Sequence, residues 1–150
     1  ADVAFEHLID AVKANVPEAK IDGAMAVEMA EPNGIELLLG LKQEPGLGTL
    51  VVVGLGGIYV EVFQDISMRF APLSENDIEE MLAELKSFPL LQGARGKKPV
   101  DLHKLKEYLA RLSELAMNHP EIAELDINPL LVFPEGDRFR ILDARIRLNA

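Results

Sequence analysis

The order of strand-like and helix-like segments constrains the fold of this chain more than any other feature of its sequence. Apolar side chains at helical spacing predict a helix over residues 2–14. Short strands then extend to residue 71, and two helices and a hairpin over residues 125–146 follow. Because strands and helices occur in blocks, this order favours an α+β or mixed α/β fold over a doubly wound parallel sheet.

The middle of the chain is predicted to be a meander of antiparallel strands with turns at glycine, proline and asparagine. The first two strands should form a hairpin around the turn at Pro32, Asn33 and Gly34. The strands expected in this region span residues 24–31, 35–41, 49–53, 59–63 and 67–71.

Capping residues locate the two later helices. Ser74 is a good N-cap with Asp77 three residues on, which predicts a capping box, and this helix is expected to end at Pro89. Asp101 should cap a longer helix that stops at His119 and Pro120.

Composition excludes several classes of protein. With no cysteine there is neither a disulfide framework nor a thiolate metal site. Fifteen basic residues against 25 acidic ones, a net charge of −10, argue against a nucleic-acid partner. The longest apolar run, residues 47–60, contains four glycines and is too short to span a bilayer. We therefore expect a cytoplasmic globular domain with no membrane partner.

The last predicted hairpin carries the best candidates for metal ligands. Asp126 and Asn128 are two residues apart, so on a strand they share a face, and the return strand can bring Asp143 across from them. Two carboxylates and an amide oxygen suit a hard cation such as Mg²⁺. An Asx-type turn at Asp126 and Asn128, with Asp143 paired to Arg145 or Arg140, explains the same spacing equally well.

Glycines and acids in the strands give weaker signals. Gly56 and Gly57 follow a predicted strand and could let a phosphate approach the backbone, although a bulge or tight corner explains them as well. Glu28 and Glu36 lie inside apolar strands, where they could accept ribose hydroxyls or simply face solvent.

Taken together, the motifs resemble a known family, the ATP-grasp domain of NDP-forming acyl-CoA synthetases. These include the β subunit of ADP-forming acetyl-CoA synthetase and are related to the succinyl-CoA synthetase β subunit. The motifs recur in order over nearly the whole chain, at residues 27–40, 54–62, 65–73, 93–96, 124–129 and 143–146.

The resemblance implies an ATP-grasp fold, in which a nucleotide lies between two α+β subdomains. Residues 1–150 are similar to the later part of that domain, so we expect a single segment of a longer protein. By their positions in the motifs, Asn128 and Asp143 resemble the Mg²⁺ ligands of the family, with Asp126 beside them.

The resemblance also implies contacts to ATP or ADP. Glu28 and Met29 fall in the strand that links the subdomains, where backbone groups meet adenine. Glu36 resembles the acid that takes the ribose hydroxyls, and Gly56 and Gly57 resemble the glycines near the transferred phosphoryl group.

The family reaction converts acid, CoA and ATP to acyl-CoA, ADP and phosphate through an acyl phosphate and a phosphohistidine. The expected partners are a nucleotide, a CoA-binding domain or subunit of the same enzyme, and further copies in an oligomer. Two alternatives remain: a regulatory ATP-grasp domain of a protein lysine acetyltransferase, and a subunit-interaction domain that binds no nucleotide. Because half of the nucleotide site should lie outside these residues, the chain alone is expected to be inactive.

Overall fold

A computed structural model of the chain describes residues 2–57, 64–134 and 138–149. The chain divides into two compact units, Ala1–Ala30 and Glu31–Ala150. The first contains helix α1 (Asp2–Asn15), which confirms the predicted helix.

The predicted strand over residues 24–31 is wrong. Residues 18–31 form no regular secondary structure, and Met25, Val27 and Met29 are 86%, 71% and 86% exposed. A strand needs a neighbour to complete its hydrogen bonds, and the only element described in this unit is a helix. The turn at Pro32 and Asn33 is present, but it leads into a single strand and not between the two strands of a hairpin.

The described residues of the second unit are built on a six-stranded sheet, and all the pairings among them are antiparallel. The strands are β1 (Ile35–Glu44), β2 (Gly48–Leu55), β3 (Ile66–Phe70), β4 (Ile122–Val132), β5 (Phe139–Ile141) and β6 (Ala144–Leu148). Their order in the sheet is β3-β2-β1-β4-β5, and β6 also pairs with β4. This arrangement confirms the α+β fold class, while the strand predicted at 59–63 lies outside the described residues.

Alternation along the strands gives the sheet one apolar face within this unit. Leu37, Leu39 and Leu41 of β1 lie opposite Leu55, Val53 and Val51 of β2, and all but Leu55 are fully buried. Helices α2 (Glu75–Glu84) and α4 (Leu102–Asn118) cover this face with a second set of buried side chains. That set includes Ile78, Met81, Leu82, Leu105 and Leu109.

The helix caps agree with the sequence at three of four ends. Ser74 and Asp77 form the predicted capping box, Asp101 caps α4, and α4 ends at His119. Pro89, however, does not end α2, which stops at Glu84; it lies in the first turn of a short helix, α3 (Phe88–Leu91). Proline is tolerated there because first-turn N–H groups have no partner within the helix.

The predicted last hairpin is interrupted in its return strand. Leu142 and Asp143 separate β5 from β6, so the two short strands pair with different parts of β4. Among the described residues, no helix has the length and apolar character needed to cross a membrane.

Candidate functional site

A glycine corner, Gly56-Gly57, follows β2 and joins it to β1. The N–H of Gly56 donates to the carbonyl oxygen of Glu36 at 2.8 Å. A Cβ on Gly56 would lie 2.5 Å from the carbonyl of Leu37, and a Cβ on Gly57 would lie 1.6 Å from a carboxylate oxygen of Glu36. Gly57 also has a φ of 71°. The backbone contact requires glycine at position 56, whereas at position 57 the positive φ favours glycine and a Cβ would also have to displace the Glu36 side chain.

Asn128 connects this corner to β4. Its side-chain oxygen accepts a hydrogen bond from the N–H of Gly57 at 2.9 Å. The Asn128-Pro129 peptide is cis, and the β1–β4 register shifts at this point, as expected for a proline inside a strand. The amide oxygen has a second lone pair, which leaves it able to accept from or coordinate another group.

The interruption between β5 and β6 places Asp143 beside Asn128. The N–H of Asn128 donates to the carbonyl oxygen of Asp143 at 3.2 Å, and the N–H of Leu142 donates to Pro129 at 3.0 Å. The break in the return strand is therefore held in register with the cis peptide.

Asp143 itself is exposed and lies 3.6 Å from Arg145. A carboxylate between Leu142 and Ala144 would be costly to bury, but this cost does not arise, because residues 140–149 are all exposed. The ion pair is one of those considered in the alternative interpretation of the sequence. An exposed pair is weak, so it does not prevent Asp143 from binding a cation.

Asp126 lies in the register of β4 between Gly40 and Arg145. Burial raises the pKa of its carboxyl, the charges of Glu124 and Asp143 add to the rise, and Arg145 opposes it. The raised pKa means that Arg145 only partly offsets burial and the charges of Glu124 and Asp143. A bound cation would supply the remaining positive charge.

The donor set of Asp126, Asn128 and Asp143 fits a hard cation such as Mg²⁺, which prefers oxygen ligands and retains waters. Only two of these residues are carboxylates. Over the described ranges, no group of three or more Asp, Glu, His or Cys residues is arranged to hold a metal ion. The candidate site therefore depends on the amide oxygen of Asn128.

The remaining predicted site residues fall into two groups, one at the glycine corner and one in the unit of residues 1–30. Glu36, Gly56, Gly57 and Asn128 meet at the glycine corner. Glu28 and Met29 belong to the unit of residues 1–30, and they are not in a strand.

The sequence did not predict the structural role of Asp65. The buried carboxylate of Asp65 accepts hydrogen bonds from the N–H groups of Lys86 and Ser87 at 2.7 and 2.8 Å. Burial raises the pKa of Asp65, but the Ser87 hydroxyl, these two N–H groups and the charge of Lys86 outweigh burial and hold the pKa below its usual range. The carbonyl oxygen of Asp65 also accepts from Leu55 at 2.9 Å, so Asp65 anchors the end of β2 to the segment before α3.

Arg69, another motif residue, has a structural role. Its guanidinium is hydrogen-bonded to Glu84 of α2, which also accepts from the hydroxyl of Ser67 at 2.5 Å. These contacts tie β3 to α2. The side chain of Arg95 lies outside the described residues.

The antiparallel sheet, the glycine corner and the candidate oxygen ligands agree with the resemblance found in the sequence. The chain belongs to the ATP-grasp domain family, whose model matches residues 1–148. This confirms the resemblance and the fold inferred from the motifs.

Within that family the chain is similar to ADP-forming CoA ligases. It is 45% identical to the 4-hydroxybutyrate–CoA ligase [ADP-forming] of Nitrosopumilus maritimus over 97% of this chain and 21% of that protein. It is 39% identical to the acetate–CoA ligase [ADP-forming] I subunit beta of Pyrococcus furiosus, over 97% of this chain and 61% of the subunit. The chain thus spans about a fifth of the first relative and about three fifths of the second.

Solved structures of similar proteins agree. A dinucleotide-forming acetyl-coenzyme A synthetase 1 of Ca. Korarchaeum cryptofilum, in complex with coenzyme A and acetyl-coenzyme A, has a TM-score of 0.80 and 44% identity. That match covers 99% of this chain and 65% of the other. The same protein with coenzyme A and Mg-AMPPCP gives a TM-score of 0.74 and 44% identity over 79% of this chain and 55% of that one.

Proposed function

We propose that this chain is the nucleotide- and Mg²⁺-binding part of an ADP-forming acyl-CoA synthetase. The observation that carries the proposal is the junction of Glu36, Gly57 and Asn128, with Asp143 beside it. Its support from relatives is the 44% identity to a synthetase solved with coenzyme A and Mg-AMPPCP. The reaction proposed for the whole protein is acid, CoA and ATP to acyl-CoA, ADP and phosphate.

Asn128 has the central role in this proposal. By accepting from Gly57, its amide is fixed in orientation, so its free lone pair points from a rigid position. Asp126 and Asp143 add carboxylate oxygens from β4 and from the strand break. Mg²⁺ bound by these residues would supply positive charge that offsets the charge of nucleotide phosphates in a chain of net charge −10.

Glu36 and Gly57 constrain how a nucleotide could lie. The carboxylate of Glu36 is in contact with Gly57. The ribose and the transferred phosphoryl group, for which these residues were predicted, lie at opposite ends of the phosphate chain. Both roles can hold for one nucleotide only if the exposed Glu36 side chain rotates away from Gly57 on binding.

The names of the relatives favour a synthetase over an acetyltransferase-fused regulatory domain, since those reported above are ligases or synthetases. The relative named subunit beta supports a second proposal, that the chain acts with a CoA-binding domain or subunit inside an oligomer. For the isolated chain we expect no turnover in an acyl-CoA synthetase assay.

The test is an NMR titration of the chain with ADP, with and without Mg²⁺. We expect Mg²⁺-dependent shifts at the amides of Gly56, Gly57 and Asn128, and we expect Asp143→Asn to remove the Mg²⁺ dependence. Asp10→Asn, a change of the same kind on the exposed surface of α1, should behave as wild type. Shifts that ignore Mg²⁺, or an Asp143→Asn variant that responds as wild type, would contradict the metal assignment.

A further inference from the structure

A cavity of about 600 Å³ lies on the helix side of the sheet, between α4 and the strands β4 and β5. Tyr108, Arg111, Leu112 and Leu115 line it from α4, at positions that share one stripe of a helix. The rest of its lining comes from the sheet: Leu39, Ile127, Leu130, Phe139, Arg140 and Ile141. Its volume is typical of a small-molecule site.

The cavity exists because α4 is packed most closely elsewhere. The stripe that includes Leu105 and Leu109 is completely buried, and α4 contacts β1 and β2. The neighbouring stripe of Tyr108, Arg111 and Leu115 extends over β4 and β5, where the space is not filled.

This cavity is separate from the candidate metal site. Ile127 lines the cavity, and its neighbour Asp126 points to the opposite face of β4 because successive strand residues alternate. The cavity therefore does not belong to the proposed nucleotide site.

The charge around the cavity is unusual for so acidic a chain. Arg111 and Arg140 belong to its lining, and both residues are exposed. A second cavity of about 330 Å³ shares Phe139 and Arg140 with it and is also lined by Lys104 and Arg138. Two arginines thus line the apolar cavity, and the second cavity adds Lys104 and Arg138, the latter paired with Glu31 at 2.8 Å.

We propose that this cavity binds a monocarboxylate with an apolar body, whose carboxylate is held by Arg111 at the entrance. Arg140 lies between Phe139 and Ile141 on β5, so its side chain faces the other side of the sheet. The planar guanidinium group matches a carboxylate with two parallel hydrogen bonds. The aliphatic lining and the edge-to-face pair of Tyr108 and Phe139, with ring centroids 5.2 Å apart, provide the apolar surface for the body. An apolar peptide segment would not need the guanidinium group of Arg111.

The test compares octanoate with octan-1-ol, which has the same chain without the charge, by NMR titration of the chain. We expect saturable octanoate binding with shifts at the methyl groups of Ile127, Leu130 and Ile141, and binding of octan-1-ol at least about tenfold weaker. Arg111→Gln should weaken octanoate binding by a similar factor and leave octan-1-ol binding unchanged.

Two further variants separate this site from non-specific attraction. Arg147→Gln alters an arginine of β6 that pairs with Glu124 and lies outside the cavity lining, so octanoate affinity should not change. Ile141→Trp should block the cavity and abolish binding, with Ile141 exposed enough (55%) for the fold to persist. Equal affinity for the alcohol and the acid, equal effects of Arg147→Gln and Arg111→Gln, or absence of saturable binding would each overturn the proposal.

Discussion

Alanine substitutions in the glycine corner test whether its geometry is as tight as the structure shows. Gly57 has a φ of 71°, and its Cβ would collide with the carboxylate of Glu36. Gly46 provides a matched control, since its φ is 78° and a Cβ there meets nothing within 4 Å. Both substitutions incur the same backbone penalty, and only Gly57→Ala must also displace a side chain.

The magnitudes follow from these contacts. A left-handed backbone costs an alanine about 1–2 kcal/mol, which sets the expected effect of Gly46→Ala. Displacing Glu36 adds about 1 kcal/mol, since its side chain is exposed and can take another rotamer. Gly56→Ala should cost most, about 3 kcal/mol or more, because its Cβ would meet the backbone of Leu37 at 2.5 Å and backbone atoms cannot rotate away.

Urea unfolding followed by circular dichroism measures these free energies. The decisive comparison is a double-mutant cycle: with Glu36→Ala present, Gly57→Ala should cost no more than Gly46→Ala. Any loss of unfolded-state entropy is the same for each glycine-to-alanine change and cancels. If Gly57→Ala costs no more than Gly46→Ala in the wild-type background, the contact between Glu36 and Gly57 is not present in solution and the reasoning fails.

Three further outcomes are expected. Because folding raises the pKa of Asp126, the contribution of this carboxyl to stability is present in acid and is lost as pH rises through the folded-state pKa. Asp126→Asn should therefore not lower the free energy of unfolding at pH 7. The same variant should weaken Mn²⁺ binding, measured by paramagnetic line broadening. Because folding lowers the pKa of Asp65, the contribution of this carboxylate to stability is present above the unfolded-state pKa and is lost as pH falls through the folded-state pKa. Asp65→Asn should therefore destabilise the fold by about 1–3 kcal/mol at pH 7 and much less in acid. The hydroxyl of buried Ser113 accepts a hydrogen bond from the N–H of Leu73 at 2.8 Å. Ser113→Ala should lower the free energy of unfolding in urea by about 1–3 kcal/mol. An unchanged unfolding midpoint would show that water replaces this bond.

Local patterns in the sequence predicted most of the second unit. The apolar runs of β1 and β2 and the caps at Ser74 and Asp101 depend on residues within a few positions, and the structure has these strands and caps as expected. The same kind of pattern misled over residues 24–31, since an apolar run indicates a strand but does not supply the neighbour that a strand needs.

The sequence predicted which residues form the candidate site better than it predicted how they are arranged. That Asn128 and Asp143 would lie close together followed from the hairpin. The bond from Gly57 to Asn128 joins residues 71 positions apart, and no local pattern specifies such a pair. The backbone contact of Asp143 with Asn128 depends on a strand break whose position is set by pairing with β4, and the buried role of Asp65 depends on two N–H groups that precede α3.

The interruption between β5 and β6 has a consequence for self-association. An uninterrupted return strand along β4 would present a long row of unpaired backbone groups, which other chains could extend into aggregates. Instead this edge consists of pieces of three and five residues, both containing arginine, and β3 at the other edge of the sheet is also only five residues long. Closing the break to lengthen the strand would therefore be expected to increase aggregation as well as to displace Asp143.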